Sequence, residues 1–260
     1  MPILPAQRVN YDQIAHLYDE PGRDHPADPN LRQFLAERPD LQLSTLRVLD
    51  MGCGTGKQLA ADHAEWPDAL LVGMDLFGGM LIRAQQRGPG VIWTQGNSAR
   101  TPFKTGSLDY ITNQFSYQHV LDKPGMIAET YRLLKPGGRF VLTNIDPWSM
   151  PNWAIYRYFP ASMMRDTQDF LPLENFALAL EQAGFVNVGF RRDHQLRRET
   201  LGGCLDYASQ RFRTSQLMVI SDEEYMQGVA RLRDEVQRFG RGMLVESELC
   251  FVTLRGDKAV

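Results

Sequence analysis

Three glycines at alternate positions give this sequence its clearest chemical signal. The apolar segment LRVLD leads into Gly52, Gly54 and Gly56, and a helical pattern begins directly afterwards. Glycine allows backbone N–H groups to approach a bound group closely, in conformations that side chains disfavour. The spacing differs from a P-loop, because Met51 stands at the first glycine position and Gln58 at the hydroxyl position. The sequence therefore predicts a ligand-binding turn that is not a P-loop.

A dinucleotide fingerprint also fits incompletely, because Lys57 occupies the position of its third glycine. An acid nevertheless follows, since Asp75 ends the apolar segment LLVGMD. A carboxylate beside the glycine turn is suited to binding the two hydroxyls of a ribose, which implies an adenosine. Further along, QGNSARTPF places Asn97 where its side chain or the neighbouring backbone can contact an adenine edge. An amino-acid carboxylate suits the glycine turn as well as a phosphate does.

These residues require a particular order of secondary structure around them. Short apolar segments alternate with amphipathic segments of helical length, which is the pattern of a doubly wound α/β sheet. The predicted strands are 46–50, 70–75, 91–96, 108–114, 138–145, 185–192 and 248–255. The predicted helices are 56–66, 78–88, 120–134, 173–183 and 222–239. The first five strands are expected to form one parallel sheet through right-handed crossovers.

Two segments, 147–172 and 194–242, interrupt this alternation. Both are rich in aromatic, methionine and arginine residues. The first leaves from the carboxyl end of a predicted strand, where α/β sheets bind their ligands. We interpret both segments as a cap over the active site. For the second, the alternative is that its amphipathic helix 222–239 merely covers a face of the sheet.

The composition predicts a globular chain that forms one large domain or one domain with a cap. The 260 residues carry a formal net charge of −3 with a pI near 6.0, which gives no general attraction to nucleic acid. We expect a cytoplasmic protein, because the N-terminus lacks a signal-peptide pattern and no apolar stretch reaches membrane-spanning length. The three cysteines, Cys53, Cys204 and Cys250, have no metal-ligand spacing, so free thiols and no metal site are expected.

Five segments in order resemble the class I S-adenosylmethionine-dependent methyltransferases, in particular the methyltransferase type 11 or ubiquinone-biosynthesis-like branch that acts on small molecules. They span about 48–146 and read VLDMGCGTG, GMDLFGGML, GNSARTPFKTGSLDYI, SYQHVLD and YRLLKPGGRFVL. YDQIAHLYDE at 11–20 is similar to the N-terminal lid helix of that family. The resemblance implies one methyltransferase domain over 1–260, with a lid at 1–30 and a cofactor-binding core at 46–146. It also implies a Rossmann-like sheet of seven strands in the order 3-2-1-4-5-7-6, with strand 7 antiparallel and helical cap insertions.

The resemblance assigns S-adenosylmethionine as the cofactor and S-adenosylhomocysteine as the product. Asp50 is expected to orient the loop and the ammonium group, and Asp75 the ribose hydroxyls. Asn97 stands where these enzymes usually carry Asp, so adenine recognition is expected to rely more on backbone. The expected cofactor contacts are Tyr11, Tyr18, Asp50, Gly52, Cys53, Gly54, Thr55, Gly56, Asp75, Leu76, Met80, Asn97, Ser98, Asn113, Gln114, Phe115 and His119.

His119 is the best candidate for a general base, if the methyl acceptor must lose a proton. Histidine has an ordinary pKa near about 6.5, which suits proton transfer at neutral pH. The alternative is that His119 only packs beside the cofactor. Tyr11 and Tyr18 share one helix face, and a sulfonium is attracted to aromatic ring faces, although both can equally be core contacts.

The acceptor is expected to be a small apolar or aromatic molecule, because aromatic residues crowd the first insertion. Trp148, Trp153 and Tyr156 are the predicted contacts. The expected reaction is direct displacement of the methyl group by the acceptor. Two other functions stay open: a regulator of this fold that binds the cofactor without catalysis, and an RNA or protein methyltransferase. The acidic balance disfavours RNA, although RRDHQLRR and QRFRTSQ can form a local basic patch. Monomer and homodimer stay open as well.

Overall fold

The computed structural model describes residues 9–18 and 25–260. These described residues contain seven strands: β1 Arg47–Met51, β2 Leu70–Asp75, β3 Val91–Gln95, β4 Leu108–Gln114, β5 Leu134–Ile145, β6 Phe185–Thr200 and β7 Leu244–Lys258. They form one mixed sheet in the order β3-β2-β1-β4-β5-β7-β6. The predicted fold class and strand order are confirmed.

Helices separate most of these strands. They are α1 Tyr11–Ile14, α2 Pro29–Ala36, α3 Lys57–Glu65, α4 Gly78–Gln85, α5 Lys123–Leu133, α6 Ala154–Tyr158, α7 Pro160–Asp169, α8 Leu173–Gln182, α9 Leu201–Ala208, α10 Ser215–Met218 and α11 Asp222–Phe239. Short 3-10 turns lie at Ala15–Leu17, Leu43–Thr45, Tyr117–His119, Pro147–Ser149 and Arg211–Arg213. Within the described residues, no helix combines the length and apolar character needed to cross a lipid bilayer.

The first five strands are parallel, as predicted. β1 pairs with β2 and β4, β2 with β3, and β4 with β5, all in parallel register. Asp50 of β1 lies opposite Gly73 of β2 and Thr112 of β4. Carboxyl ends of parallel strands meet at one edge of a sheet, so the residues that follow β1, β2 and β4 come together.

The chain divides into two compact units. The sheet unit comprises Asn10–Asn144, Leu173–Arg191 and Thr253–Val260. Its core fills with the apolar side chains of β1, β2 and β4 and of the helices packed on them, and Tyr110 and Phe34 are fully buried in it. Removal of this apolar surface from water is the main stabilising contribution.

The insertion unit consists mainly of Ile145–Pro172 and Arg192–Val252. Its core joins apolar residues of α6, α9 and α11. Gly228 of α11 packs against the Phe159 ring so closely that a Cβ there would overlap the ring. α11 begins with a capping box in which Ser221 and Glu224 bind each other's backbone N–H groups.

The structure differs from the sequence expectation at β6 and β7. Residues 194–200, predicted as part of an insertion, continue β6 as strand, and β7 begins at Leu244. The extra length of β6 is mainly polar and largely exposed, so it carries no apolar signal of a strand. Of the predicted lid, residues 1–8 and 19–24 lie outside the described residues.

Candidate functional site

The turn between β1 and α3, residues 52–56, is the predicted glycine turn. Gly52, Gly54 and Gly56 have φ angles of 87°, 54° and 75°, in the left-handed region that favours glycine. A Cβ at Gly52 would overlap the Ser116 side chain, and one at Gly56 would overlap the Trp93 ring. At Gly54, no heavy atom of the described residues beyond its two chain neighbours lies within 4 Å of the point that a Cβ would occupy. The outer two glycines therefore permit close packing, whereas Gly54 faces space that a ligand can fill.

Other elements hold the glycine turn in position. Asn113 Nδ2 and Ser116 Oγ both donate to the carbonyl oxygen of Met51, at 2.7 and 3.1 Å. Arg87 Nε donates to the carbonyl oxygen of Thr55 at 2.5 Å. The turn is thus fixed at both ends before any ligand binds, which lowers the conformational entropy that binding must overcome.

Asp75 joins the end of β2 to the glycine turn. Its Oδ2 accepts from the Gly54 N–H at 2.8 Å, and its Oδ1 accepts from the Phe77 N–H at 2.9 Å. Burial raises the pKa of the carboxyl, and the backbone N–H donors oppose that rise. Each carboxylate oxygen has a second lone pair that can accept a ribose hydroxyl. The structure places Asp75 where the sequence predicts it, beside the glycine turn.

Asp50 of β1 is buried, and it lies on the same face of the sheet as Tyr110 and Thr112 of β4. Its Oδ1 and the Thr112 hydroxyl have no hydrogen-bond partner among the described residues. Burial raises the pKa of Asp50 well above its ordinary range, and the nearby carboxyls of Asp62 and Asp28 raise it further. Buried polar atoms without partners are costly, so these oxygens are suited to a donor that arrives with water or a ligand.

The loop after β3 holds the predicted adenine contacts. Asn97 Oδ1 accepts from the Ala99 N–H, and the Arg100 N–H donates to the Asn97 carbonyl, both at 2.9 Å. The Asn97 side chain therefore stabilises its own loop, and a contact of this loop with adenine stays a prediction. Ser98 is half-buried in the same loop. Leu76 is 56% exposed directly after Asp75, whereas Met80 is buried within α4.

The end of β4 carries a strained residue. Phe115, which follows Asn113 and Gln114, has φ of 51° and is 42% exposed. A non-glycine residue in this region costs about 1–3 kcal/mol and persists where the surroundings enforce it. The Phe115 N–H donates to the Thr143 carbonyl at 2.9 Å, and Gln118 Nε2 donates to the Phe115 carbonyl at 2.9 Å. These bonds present the Phe115 ring at the carboxyl edge of the sheet.

An aromatic cluster joins α1 to this edge. The Tyr11 ring lies 5.6 Å from Tyr18, 5.4 Å from Phe77 and 5.3 Å from His119, measured between ring centroids. The Tyr11 hydroxyl lies 2.9 Å from His119 Nε2. The Gly79 N–H at the start of α4 donates to Asp12 Oδ1 at 2.6 Å. The structure therefore brings the predicted lid residues together with the predicted base.

The predicted acceptor contacts belong to the insertion unit. Trp148 is 39% exposed. Trp153 packs edge-on against Tyr156, with ring centroids 5.0 Å apart. Tyr156 is only 3% exposed, and its hydroxyl donates to Asp166 Oδ2 at 2.5 Å. A role for these three side chains in acceptor binding stays a prediction.

Two polar residues near His119 were not predicted from the sequence. Gln118 and Asn144 are buried and hydrogen-bonded to each other, and Gln118 also contacts His119. Gln118 stands next to the predicted base, which is the one signal that could have found it. Cys53 is buried in the glycine turn, and burial raises the pKa of its thiol, which disfavours a thiolate nucleophile. Within the described residues, no three His, Cys, Asp or Glu side chains are grouped to hold a metal.

The site fits S-adenosylmethionine. Space at Gly54 admits a group close to the backbone, and Asp75 beside it offers carboxylate lone pairs for ribose hydroxyls. The unpartnered buried oxygen of Asp50 offers an acceptor for a donor such as the ammonium group. The site thus offers polar groups suited to the ribose and to the amino-acid portion of S-adenosylmethionine.

Known proteins are similar to this chain in sequence and in fold. The methyltransferase domain family, Methyltransf_11, matches residues 49–142. The ubiquinone/menaquinone biosynthesis C-methyltransferase UbiE of Desulfotalea psychrophila is 29% identical over 215 residues, covering 72% of this chain and 85% of that protein. A demethylmenaquinone methyltransferase of Lactiplantibacillus plantarum is 31% identical over 175 residues, covering 57% of this chain and 74% of that protein.

The fold is similar to that of phosphoethanolamine N-methyltransferase 2 of Haemonchus contortus, solved with phosphomonomethylethanolamine and S-adenosylhomocysteine. The TM-score is 0.60 at 19% identity, covering 100% of this chain and 62% of that chain. This chain therefore spans less than two thirds of that protein, and the similarity concerns the fold alone. The identity to the Lactiplantibacillus plantarum enzyme, 31% along 74% of its length, shows that the chain belongs to the S-adenosylmethionine-dependent methyltransferases.

Proposed function

We propose that this enzyme transfers the methyl group of S-adenosylmethionine by direct displacement to a small molecule of apolar or aromatic character. The observation that carries the proposal is the glycine turn, where Asp75 accepts from the Gly54 N–H beside open space. The names of the two bacterial relatives, which are quinone-pathway methyltransferases, support an acceptor of this chemistry. Aromatic residues in 147–172 support it as well.

In this proposal each portion of the cofactor has a protein contact. Asp75 holds the ribose hydroxyls, Asp50 accepts from the ammonium group, and the backbone around Asn97 contacts the adenine. When bound, S-adenosylmethionine supplies a methyl group on a positively charged sulfur, which an electron-rich acceptor atom can displace. The protein contributes alignment of the reacting atoms and exclusion of water. The rings of Tyr11 and Phe115 border the positive charge, a contact that aromatic faces favour.

His119 and Tyr11 are proposed to take the proton of an acceptor that must be deprotonated. Their 2.9 Å contact makes the tyrosine hydroxyl and the imidazole one proton-transfer pair. Tyr11 lies on α1, and the Asp12 carboxylate fixes α1 to the Gly79 N–H. The proposed base is therefore complete only when the N-terminal segment is in place.

Acceptor specificity is proposed to reside in the segments 147–172 and 194–242. Trp148 and Trp153 present partly exposed indole rings there. Such rings bury a large apolar area against a flat ligand, at about 25 cal/mol for each Å² removed from water. The hydroxyl of Tyr156 is already engaged by Asp166, so an apolar contact through its ring edge is the role proposed for it.

Calorimetric titration with S-adenosylmethionine and S-adenosylhomocysteine tests the cofactor site first. We expect binding of about −8 kcal/mol, in the low micromolar range. Asp75→Ala removes two hydrogen bonds to a charged acceptor, each worth about 1.5–3 kcal/mol, so affinity is expected to fall at least about 100-fold. Asp68→Ala is the matched control, because Asp68 is an exposed acid just before β2. If the Asp75 variant and wild type bound the cofactor with equal affinity, the assignment of Asp75 to the ribose hydroxyls would be wrong.

Release of S-adenosylhomocysteine with a panel of acceptors tests the reaction. Hydroquinones and phenols are expected to support turnover, whereas small polar amines, peptides and RNA are not. Turnover on RNA or peptide alone would contradict the proposed acceptor class. Tight cofactor binding without turnover on any of these would favour a regulator that binds the cofactor without catalysis.

A further inference from the structure

β6 forms one edge of the sheet and is largely exposed. Within the described residues, β6 pairs with β7 alone, so the backbone groups along its other edge have no neighbouring strand in the sheet. An edge of this kind can bind a further strand through backbone hydrogen bonds. Leu196 of β6 is 67% exposed, and Asp193 and Arg197 on the same strand are exposed as well. The edge therefore combines backbone donors and acceptors with charged and apolar side chains that face solvent.

The side chains on one face of β6 are ordered along the strand. Gln195 Nε2 donates to Asp193 Oδ2 at 3.0 Å, and Arg197 Nη2 donates to Gln195 Oε1 at 2.9 Å. Successive side chains of a strand alternate between its faces, so Arg191 and Glu199 belong to this face too. Outward from Gln195, each step along the face meets an acid on one side and an arginine on the other.

This charge pattern is complementary to a second copy of itself. When two identical strands pair in antiparallel fashion about a two-fold axis, residues opposite each other lie on the same face of the sheet, so the axis passes between one residue and its own copy. With Gln195 on the axis, Asp193 stands opposite Arg197 of the second copy. Arg191 then stands opposite Glu199 of that copy. The symmetry repeats both pairs of opposite charge.

The neighbouring symmetric registers bring like charges together instead. If the axis moves one residue toward the N-terminus, Arg191 stands opposite Arg197. If it moves one residue toward the C-terminus, Asp193 stands opposite Glu199. Opposite charges directly across a strand pair stabilise it, whereas like charges destabilise it. The charges of β6 therefore favour the register centred on Gln195.

The other face of β6 is compatible with the same register. Arg192 stands opposite Arg198 of the second copy there, but each of them pairs with an acid of its own chain. Arg192 Nε donates to Asp146 Oδ2 at 2.7 Å, and Arg198 Nη2 lies 3.3 Å from Glu246 Oε1. Leu196 stands diagonally across from its own copy, where the two side chains can remove apolar surface from water.

We propose that the chain forms a homodimer in which the β6 strands of two copies pair in antiparallel register centred on Gln195. The two sheets then continue into each other across the two-fold axis. A carboxylate offers about four acceptor positions and a guanidinium five N–H donors. Asp193 and Arg197 can therefore keep their bonds along the strand and bind across the axis as well. The dimer does not depend on methyl transfer, so it can be tested without turnover.

Sedimentation velocity at protein concentrations from about 5 to about 200 μM measures the assembly, because a dimer dissociates on dilution. We expect the 29.6 kDa chain to sediment as a dimer at the upper end of this range. Asp193→Arg and Arg197→Asp each convert one pair of opposite charge, in both of its copies, into a pair of like charge. Each is therefore expected to raise the dissociation constant at least about tenfold.

The double variant Asp193→Arg/Arg197→Asp restores opposite charges in the reverse order. Its dissociation constant is expected to return to within about threefold of the wild-type value, a recovery that only paired residues show. Asp234→Arg and Arg238→Asp are the matched controls, because they make the same changes in an exposed ion pair on α11 and should dimerise like wild type. Circular dichroism verifies that every variant is folded.

Oxidative cross-linking tests the register directly. Gln195→Cys places a thiol on the axis, where the Cα atoms of opposite residues lie about 4.5–5.5 Å apart, within disulfide range. The two copies of Leu196→Cys stand on a diagonal, about 7–8 Å apart and beyond that range. We expect a covalent dimer from Gln195→Cys on a non-reducing gel and little from Leu196→Cys. The native cysteines are buried, and wild type gives their background.

A wild type that stays monomeric at every concentration would overturn the proposal and leave this edge to solvent or to another protein. A dimer that neither single charge variant weakens would overturn it too, because another surface would then form the interface. Cross-linking through Leu196→Cys and not through Gln195→Cys would show a different register. A double variant no tighter than the single variants would contradict the pairing of Asp193 with Arg197.

Discussion

The buried carboxyl of Asp166 should make the stability of the protein depend on pH in an unusual direction. Asp166 in α7 is 5% exposed, accepts from the Tyr156 hydroxyl at 2.5 Å and accepts from Gln216 Nε2 at 3.0 Å. Burial raises its pKa from 3.8 to about 7, against the lowering effect of these two donors. Between pH 3.8 and about 7, the folded chain therefore retains a proton on Asp166 that the unfolded chain has released.

The sign and the size of this pH dependence follow from the linkage between proton binding and folding. A carboxyl whose pKa is raised on folding stabilises the protein fully below pH 3.8, and this contribution is lost as the pH rises through about 7. With one pKa unit equal to about 1.4 kcal/mol, the contribution of Asp166 falls by about 3 kcal/mol between roughly pH 5 and pH 8. Asp166→Asn carries no titrating group, so it loses this dependence.

Denaturant unfolding of wild type and Asp166→Asn, followed by circular dichroism at several pH values, measures the effect. The variant should lose about 1 kcal/mol at acid pH, because its amide satisfies the Gln216 donor less well. Between roughly pH 5 and pH 8 the difference in unfolding free energy should then move by about 3 kcal/mol in favour of the variant. Asp68→Asn, at an exposed acid, should stay parallel to wild type. An Asp166 variant that also stays parallel to wild type would refute the reasoning.

Three further predictions concern the sheet unit and the thiols. Gly52→Ala should prevent or greatly weaken S-adenosylhomocysteine binding in calorimetry, because its Cβ would overlap Ser116 and its φ of 87° disfavours alanine; retained affinity would contradict this packing. Arg139→Leu should lower the unfolding free energy by about 3–5 kcal/mol, because it leaves the buried carboxylate of Asp257 without its 2.6 Å partner. Arg198→Leu, at an exposed ion pair, should cost less than about 1 kcal/mol in the same unfolding assay, and equal losses would contradict the difference in burial. All three cysteines are free and buried, so Ellman's reagent should label them within minutes only after denaturation, and rapid labelling of the native protein would contradict their burial.

Local sequence pattern predicted the strands on either side of the glycine turn well. The strands 70–75 and 108–114 agree with the structure at both ends. Residues 194–200 were misassigned because a polar, exposed strand has no alternation of apolar and polar residues to detect. Its strand conformation depends on a neighbour far away in the sequence.

The residues of the candidate site also fall into some that the sequence could predict and some that it could not. The glycine turn and Asp75 were predictable because spacing along the chain alone identifies them. Gln118 and Asn144 were not, since their bond joins residues 26 positions apart and a glutamine has no local pattern that marks it as a partner. The contact between Tyr11 and His119 spans 108 positions, although both residues were predicted separately.

The strand order has a consequence for synthesis on the ribosome. β7 lies between β5 and β6 in the sheet, yet it is the last of the seven strands to be translated. In this sheet β6 pairs with β7 alone. The ribosome must add 44 residues after Thr200 to reach Leu244, so β6 has no partner strand until then. At about 5–20 residues per second, the wait lasts a few seconds. During that interval β6 is an unprotected strand edge, and a nascent chain that stalls before residue 244 is a natural substrate for chaperones.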